Sequence, residues 1–322
     1  MKRHYMVIMM VAAGLTGCFE SPDVDWGDTA TAQRIDTPTT PSASEGDYLD
    51  EPPIDEYFEG GGYLLDGAIT NVVSEVGFHG ELEPGVVYGF NLDGRVSDTS
   101  DEETCGKTDF TSSVGEPGVD NQLAAIWPIV DGLVGDQVTS LLQQAISDGR
   151  FLLMMELTGL DDPQNDDEVV FKVMRGSLVP QYNADGIIVP AQTYTIDHSF
   201  PKSIVTDAKV VDGVLEAGPI EFEVPIFIFD AAFGMKFNDG RLRIELQEDG
   251  TFSGVMAGAV NIDSFLGEIL QTAAAQEAEL VLPIFQSYAD MEKVDGECKS
   301  FSAAFTFKSV SGFVRYLDEP AP

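Results

Sequence analysis

Charged and apolar side chains alternate from Arg241 to Leu246, reading Arg-Leu-Arg-Ile-Glu-Leu. A period of two marks a strand with one face buried and the other in water. Glu248-Asp249-Gly250 then turns the chain into Thr251–Val260, so the two runs predict a hairpin. Similar runs occur at Val86–Leu92, Phe151–Leu157 and Glu168–Met174, and later at Phe222–Phe229, Ser302–Val310 and Phe313–Leu317. Phe222–Phe229 is apolar at nearly every position, which predicts a strand covered on both faces.

In two places the period lengthens to that of a helix. Between Asn121 and Ser147 the apolar positions include Leu123, Ile126, Trp127, Val130, Val138, Leu142 and Ile146, a single helical stripe. Asp120 or Asn121 is placed to cap its start. Pro128 and Gly132 predict a kink or break, and Gly149 suits the left-handed position past its end. Ile262 to Asp290 is a second helical region, with a break predicted at Pro283. Strands outnumber helices throughout, so the expected fold is mainly β. It is an antiparallel β-sandwich or jelly-roll-like sheet pair with two helical segments packed at one end. The alternative is an antiparallel sheet curled around the Asn121–Ser147 helix.

The first residues follow neither period. Lys2 and Arg3 precede an apolar stretch running to Gly17. As a helix it would be about 20 Å long against a hydrocarbon core of roughly 30 Å, which is the shape of an export signal. It ends in Leu15-Thr16-Gly17-Cys18. This resembles the lipobox of bacterial lipoproteins, Leu-x-Gly/Ala-Cys. The resemblance implies that residues 1–17 are a removable signal peptide and that Cys18 carries a diacylglyceryl group and an acylated amino end. The membrane is then the partner of Cys18, and the protein sits in the bacterial cell envelope. One acyl chain gives only reversible binding, at about 0.8 kcal/mol per buried methylene, whereas three hold a protein in place. Phe19 stands where the family's inner-membrane retention signal has Asp, which favours the outer membrane.

Residues 18–62 are rich in Pro, Ser, Thr, Asp and Glu, with Arg34 the one basic side chain. Such a stretch has too little apolar surface to offset the entropy of ordering, and it reads as a disordered acidic tether. Residues 63–318 are then expected to form one β-rich domain. No later run reaches 18 consecutive apolar residues, so this part is expected to lie outside the bilayer. The formal charge of −38 becomes −40 once Lys2 and Arg3 leave with the signal. That charge repels nucleic acid, and a DNA- or RNA-binding role is excluded.

Cys105 and Cys298 remain after export, and in an oxidising compartment they most simply form one disulfide. Closing a loop of roughly 190 residues is worth about 4–5 kcal/mol on the chain-entropy account. A zinc site is disfavoured, since only His79 and His198 accompany the two cysteines in the mature chain. Asn-Leu-Asp-Gly at Asn91–Gly94, the Cys105–Ala124 stretch and Cys298–Phe307 together resemble a group of bacterial envelope lipoproteins. These share a Cys-Gly-x-x-Asp…Gly-x-Asp-Asn-Gln block before a helix and a C-terminal Cys leading into a strand. The resemblance implies the same disulfide and domain limits and carries no activity.

The Cys105–Ala124 stretch also spaces oxygen donors in the manner of a calcium loop. With Asp109 at position 1, Thr111 falls at 3, Ser113 at 5, Gly115 at 7 and Asp120 at 12. Val114 replaces the turn glycine and Asp120 the bidentate Glu, so any affinity is expected near the millimolar range. Asp93, Asp98 or Asp101 would have to complete the shell. The candidate site is therefore Asp93, Asp109, Thr111, Ser113 and Asp120, with Ca2+ the one cofactor suggested and none required. The plain alternative is a tight turn with Asp120 capping the helix.

No nucleophile elbow, zinc-protease helix, phosphate loop or dinucleotide fingerprint occurs. Asp197-His198-Ser199 are sequence neighbours that a strand would point to opposite faces, and His79 between glycines reads as a turn residue. Glu221 and Glu223 share a strand face, but acids are too numerous for one pair to mark a glycosidase. The function expected is a non-enzymatic binding or structural module whose partner is an envelope protein or glycan. The alternative is a surface-anchored hydrolase acting on polysaccharide or peptide. Trp26 and Trp127 are the only tryptophans, one in the tether and one on the helix stripe, which weighs against a sugar platform.

Overall fold

A computed structural model describes residues 64–316, apart from 66, 135–136, 185, 201, 229–230 and 271–274; the signal, Cys18 and the tether lie outside the described residues. The elements run β1 (Ile69–Gly77), β2 (Val86–Val87), β3 (Phe110–Ser112), β4 (Pro117–Val119), α1 (Gln122–Val134), α2 (Gln137–Ser147), β5 (Leu153–Thr158), β6 (Asn165–Ser177) and β7 (Gln192–Ile196). They continue with β8 (Ser203–Val211), β9 (Val214–Ile228), β10 (Ala231–Leu246), β11 (Phe252–Asn261), α3 (Ile262–Ile269), α4 (Ala275–Ser287), β12 (Met291–Val294) and β13 (Glu297–Arg315). The domain is mainly β and its large sheet is dominated by antiparallel pairs.

Among the described residues, eight strands of that sheet close on themselves, and β12 hangs off β13 outside the circuit. Following the pairings gives β1-β5-β6-β8-β9-β10-β11-β13 and back to β1, each step antiparallel. The two faces of the expected sandwich are thus one sheet laced into a ring. Inside it lie Val73, Leu153, Met155, Phe171, Leu215, Leu242, Met256, Phe301 and Phe305, all buried in one cluster. Helix α2 contributes Val138, Leu142, Ala145 and Ile146 to that core. It packs on β1 and β9, which stand opposite one another in the ring, so the helix spans it. Phe222 stacks on Phe237 at 4.5 Å, and both meet the Phe305 ring edge-on.

A second, smaller ring shares part of the wall. β6 pairs with β7 and β7 with the end of β13, giving the circuit β1-β5-β6-β7-β13. With five members it cannot alternate throughout, and β7 accordingly runs parallel to β13. Its core is Val72, Leu152, Met154, Met174, Tyr194 and Val314. Neighbouring residues of one strand therefore serve different cores: Met154 and Met174 enter the small ring, Met155 and Val173 the large one. This is why β5 is apolar at successive positions. At the small ring's edge Glu156, 1 % exposed, accepts hydrogen bonds from Lys172 Nζ at 2.6 Å and Tyr316 Oη at 2.8 Å.

Local signals fare unevenly. The β10–β11 hairpin forms as predicted, and Ser302–Val310 and Phe313–Leu317 fuse into the single long β13. Val86–Leu92 yields only the two residues of β2, because Phe90 leaves it to bridge Asp120. Pro128 and Pro283 both lie within helices; the breaks come instead between α1 and α2 and between α3 and α4. A proline bends a helix without ending it where the apolar stripe on both sides is packed. Gly149 has φ of 70°, and a Cβ there would strike the Leu178 carbonyl, so glycine is required where α2 ends.

A wall with a core on each side makes a specific prediction. Met154→Ala and Met155→Ala, adjacent on β5, should each destabilise the domain by about 2–5 kcal/mol in urea unfolding. A strand with one solvent face would lose that much at only one of the two positions.

Candidate functional site

The chain between β1 and α1 folds back over the outside of the large ring. Phe90 packs on Ala257 and Ala304 with Leu92 beside it, and β2, β3 and β4 form a small separate sheet. The Cys105–Cys298 disulfide ties this layer to the first turn of β13, 193 residues later in sequence. Lys293 Nζ adds a bond to the Glu102 carbonyl at 2.7 Å.

Beneath this layer β13 is paired with β11 along one edge, but its other edge lacks a strand neighbour for a short distance. β1 covers it from Thr306 to Gly312, and β12 covers it up to Ser300. In the gap, side chains accept the backbone N–H groups. Asp290 Oδ1 takes Ser302 N–H at 2.7 Å, and Asn121 Oδ1 takes Ala304 N–H at 3.2 Å. The Ser302 hydroxyl donates to Asp290 Oδ2 at 2.6 Å and accepts from Gln122 N–H at 2.9 Å. Asn121 Oδ1 also accepts from Ala124 N–H at 3.2 Å, making Asn121 the helix cap. Next to it, Asp120 Oδ2 accepts from Leu92 N–H at 2.6 Å and Asp93 N–H at 3.3 Å, fixing the turn that begins at Asn91.

The result is a group of carboxylates under cover. Asp120 is 1 % exposed and Asp290 3 %. Burial pushes Asp120 up to about 8, with the charges of Asp93, Asp290 and Asp109 adding to it, while the Leu92 N–H resists. Asp290 is pushed up to about 7 by burial, against the hydroxyl and N–H of Ser302, with the Asp109 charge adding to the rise. Asp109 is raised too, chiefly by burial, although it accepts Ser97 N–H at 2.5 Å. Arg95 sits at the rim, 3.9 Å from Asp93 and 3.8 Å from Asp101.

Of the five residues expected to form a calcium loop, the fold brings Asp93, Asp109 and Asp120 into one electrostatic group. It sends the other two elsewhere. Thr111 belongs to β3, paired with β2, and Ser113 is exposed in the turn closed by Gly115 N–H on the Ser112 carbonyl. The pull of the small sheet overrides the spacing counted from Asp109. Among the described residues, no three or more Asp, Glu, His or Cys side chains are arranged to hold a metal ion. Asp98 and Asp101 are occupied locally by Ser100 and by Ser97 and Glu103. Asp290 and Asn121 are the members that spacing missed. An acid set among Tyr288, Ala289 and Met291 was the available signal for the former.

Elsewhere, Asp197 Oδ1 accepts both Ser199 N–H and its hydroxyl, a local turn and no triad. His79 is more than a turn residue: its Nε2 lies 2.7 Å from Thr306 Oγ1 and burial lowers its pKa. A cleft of about 610 Å³ opens beside the disulfide, between Lys107, Asp263, Gln286 and Lys299.

The acids set the sign of the pH response. A carboxyl whose folded pKa lies above its unfolded value near 4 destabilises the fold progressively as pH rises between the two. Melting temperature should therefore fall from pH 4 to pH 8, and Asp120→Asn or Asp290→Asn should flatten that slope in scanning calorimetry. Replacing both Cys105 and Cys298 by Ser should cost about 4 kcal/mol in urea unfolding, the value for closure of a loop this long.

No family model, curated protein or solved structure matches this chain.

Proposed function

We propose that the protein is an envelope lipoprotein, a non-enzymatic binding or structural module held by an acylated Cys18 on an acidic stalk and facing an envelope protein or glycan. The cysteine count carries this reading. The chain has three, Cys105 and Cys298 are joined to each other, and the one left over is the residue that closes Leu15-Thr16-Gly17-Cys18. A disulfide suits an exported protein, and Phe19 after the cysteine favours the outer membrane.

The buried acids weigh against the hydrolase alternative. Asp120 and Asp290 have the raised pKa that a general acid needs, yet both lie beneath the outer layer with their oxygens on backbone N–H groups. A general acid must come within about 3 Å of the leaving oxygen. Asp120 ties the two ends of the Asn91–Gln122 segment together, and Asp290 orients the Ser302 hydroxyl that holds Gln122 N–H on β13.

Mass spectrometry of the native protein tests the anchor. The expected mature terminus is Cys18 bearing thioether-linked diacylglycerol and an N-acyl chain, and Cys18→Ser should move the protein from the membrane to the soluble fraction. An uncleaved leader or an unmodified terminus would overturn the proposal.

A further inference from the structure

Ser97 to Asp109 leaves the outer layer as a loop with its ends together. Ser97 N–H donates to Asp109 Oδ2 at 2.5 Å, and Asp109 N–H donates to the Ser97 carbonyl at 3.1 Å. Between them the chain reads Asp-Thr-Ser-Asp-Glu-Glu-Thr-Cys-Gly-Lys-Thr, with no apolar side chain apart from Cys105. Many of its bonds are its own: Ser97 Oγ donates to Asp101 at 3.0 Å, Gly106 N–H to the Asp101 carbonyl at 2.8 Å and the Thr104 hydroxyl to the Lys107 carbonyl at 3.2 Å. Among the described residues, its tip is tied to the domain by the Cys105–Cys298 disulfide and by Lys293, whose Nζ donates to the Glu102 carbonyl and lies 3.8 Å from Glu103. At its base Gln122 Nε2 holds the Thr108 carbonyl at 3.2 Å. A loop so built is cohesive, but little apolar contact keeps it in place.

The bond that pins the loop is within reach of solvent. Cys105 and Cys298 are both half-buried, and both line the cleft of about 610 Å³. That is room for a small molecule or a few residues of another chain. Of the two lysines in its wall, Lys299 is paired with Glu297 at 2.7 Å, whereas Lys107 has no ion pair among the described residues. An ammonium group there favours the thiolate on which disulfide exchange depends. The force that would open the loop is electrostatic. It carries Asp98, Asp101, Glu102, Glu103 and Asp109 against Lys107 alone, and Asp109 sits in one group with Asp93, Asp120 and Asp290. We propose that Cys105–Cys298 is a redox latch: a dithiol entering by the cleft reduces it, and the Ser97–Asp109 loop then lifts from β13 while both rings stay closed. One thiol of the dithiol loses its proton and attacks a cysteine sulfur; the other cysteine leaves as a thiolate and takes up that proton. The second thiol, deprotonated in turn, displaces and protonates the remaining cysteine as the reductant closes its own disulfide. Two electrons pass to the protein, which gains two thiols. The rings do not need the bond, since β1 and β13 are joined by their own ladder between Thr70–Gly312 and Gly77–Thr306.

Dithiothreitol without denaturant is the probe, with alkylation read at the Cys105 and Cys298 peptides by mass spectrometry and the backbone followed by hydrogen exchange. The expected result is reduction at a rate proportional to dithiothreitol concentration. Exchange should become about tenfold faster across Ser97–Asp109 and stay unchanged in β1 and β13. The double variant Cys105→Ser, Cys298→Ser should show the same fast exchange in the loop with no reagent. A reduction rate that levels off at the rate of global unfolding would overturn the proposal, because the bond would then be reached only in the unfolded chain. Loop protection that survives in both the reduced protein and the double variant would also overturn it. So would loss of protection in β1 together with the loop, since the bond would then staple the whole domain.

Discussion

Both rings depend on the pairing of β1 with β13. Without it the large sheet would end in two open edges, and the small ring would lose its wall at the same time. The ladder is reinforced from the inside of the sheet by a polar lock: the Ser309 hydroxyl donates to Asn71 Oδ1 at 2.9 Å and is itself bonded to Phe252, while Asn71 Nδ2 reaches the Gly250 carbonyl at 2.9 Å. Asn71 is completely buried, so each of these bonds offsets a desolvation cost that would otherwise fall on the fold. Three strands, β1, β11 and the end of β13, are thereby set in one register.

The outer layer continues the same ladder by other means. Where β1 stops, Asn121 and Asp290 take the backbone donors a longer strand would have taken. The substitution is chemically adequate but electrostatically expensive, because it draws a carboxyl into a space already occupied by Asp93, Asp109 and Asp120. The disulfide and the Phe90 contact hold the layer down against that repulsion.

Much of this was legible in the residues, and the limits are physical. Alternation in Arg241–Leu246 and the turn at Glu248-Asp249-Gly250 are local, and local patterns survive folding. The helix stripe, its Asn121 cap and its terminal Gly149 also follow from neighbours in sequence. Ring closure does not: Ile69–Gly77 does not alternate and is not among the predicted runs, and no local pattern names a partner at the far end of the chain. Leu152 to Leu157 is apolar or buried at each position, which signals cover on both faces without saying that two separate cores provide it. The calcium spacing failed for Thr111 because spacing along a chain predicts proximity only while the backbone stays in a loop, and Phe110–Ser112 becomes a strand.

The β1–β13 ladder also imposes an order of events. Asn71 and Ser309 are separated by 238 residues, and loop closure over that distance must precede any reward from the contact. A chain made from its amino end cannot complete either ring until its final strand has emerged, so closure of both cores and the Cys105–Cys298 bond all wait on the last twenty or so residues of the domain.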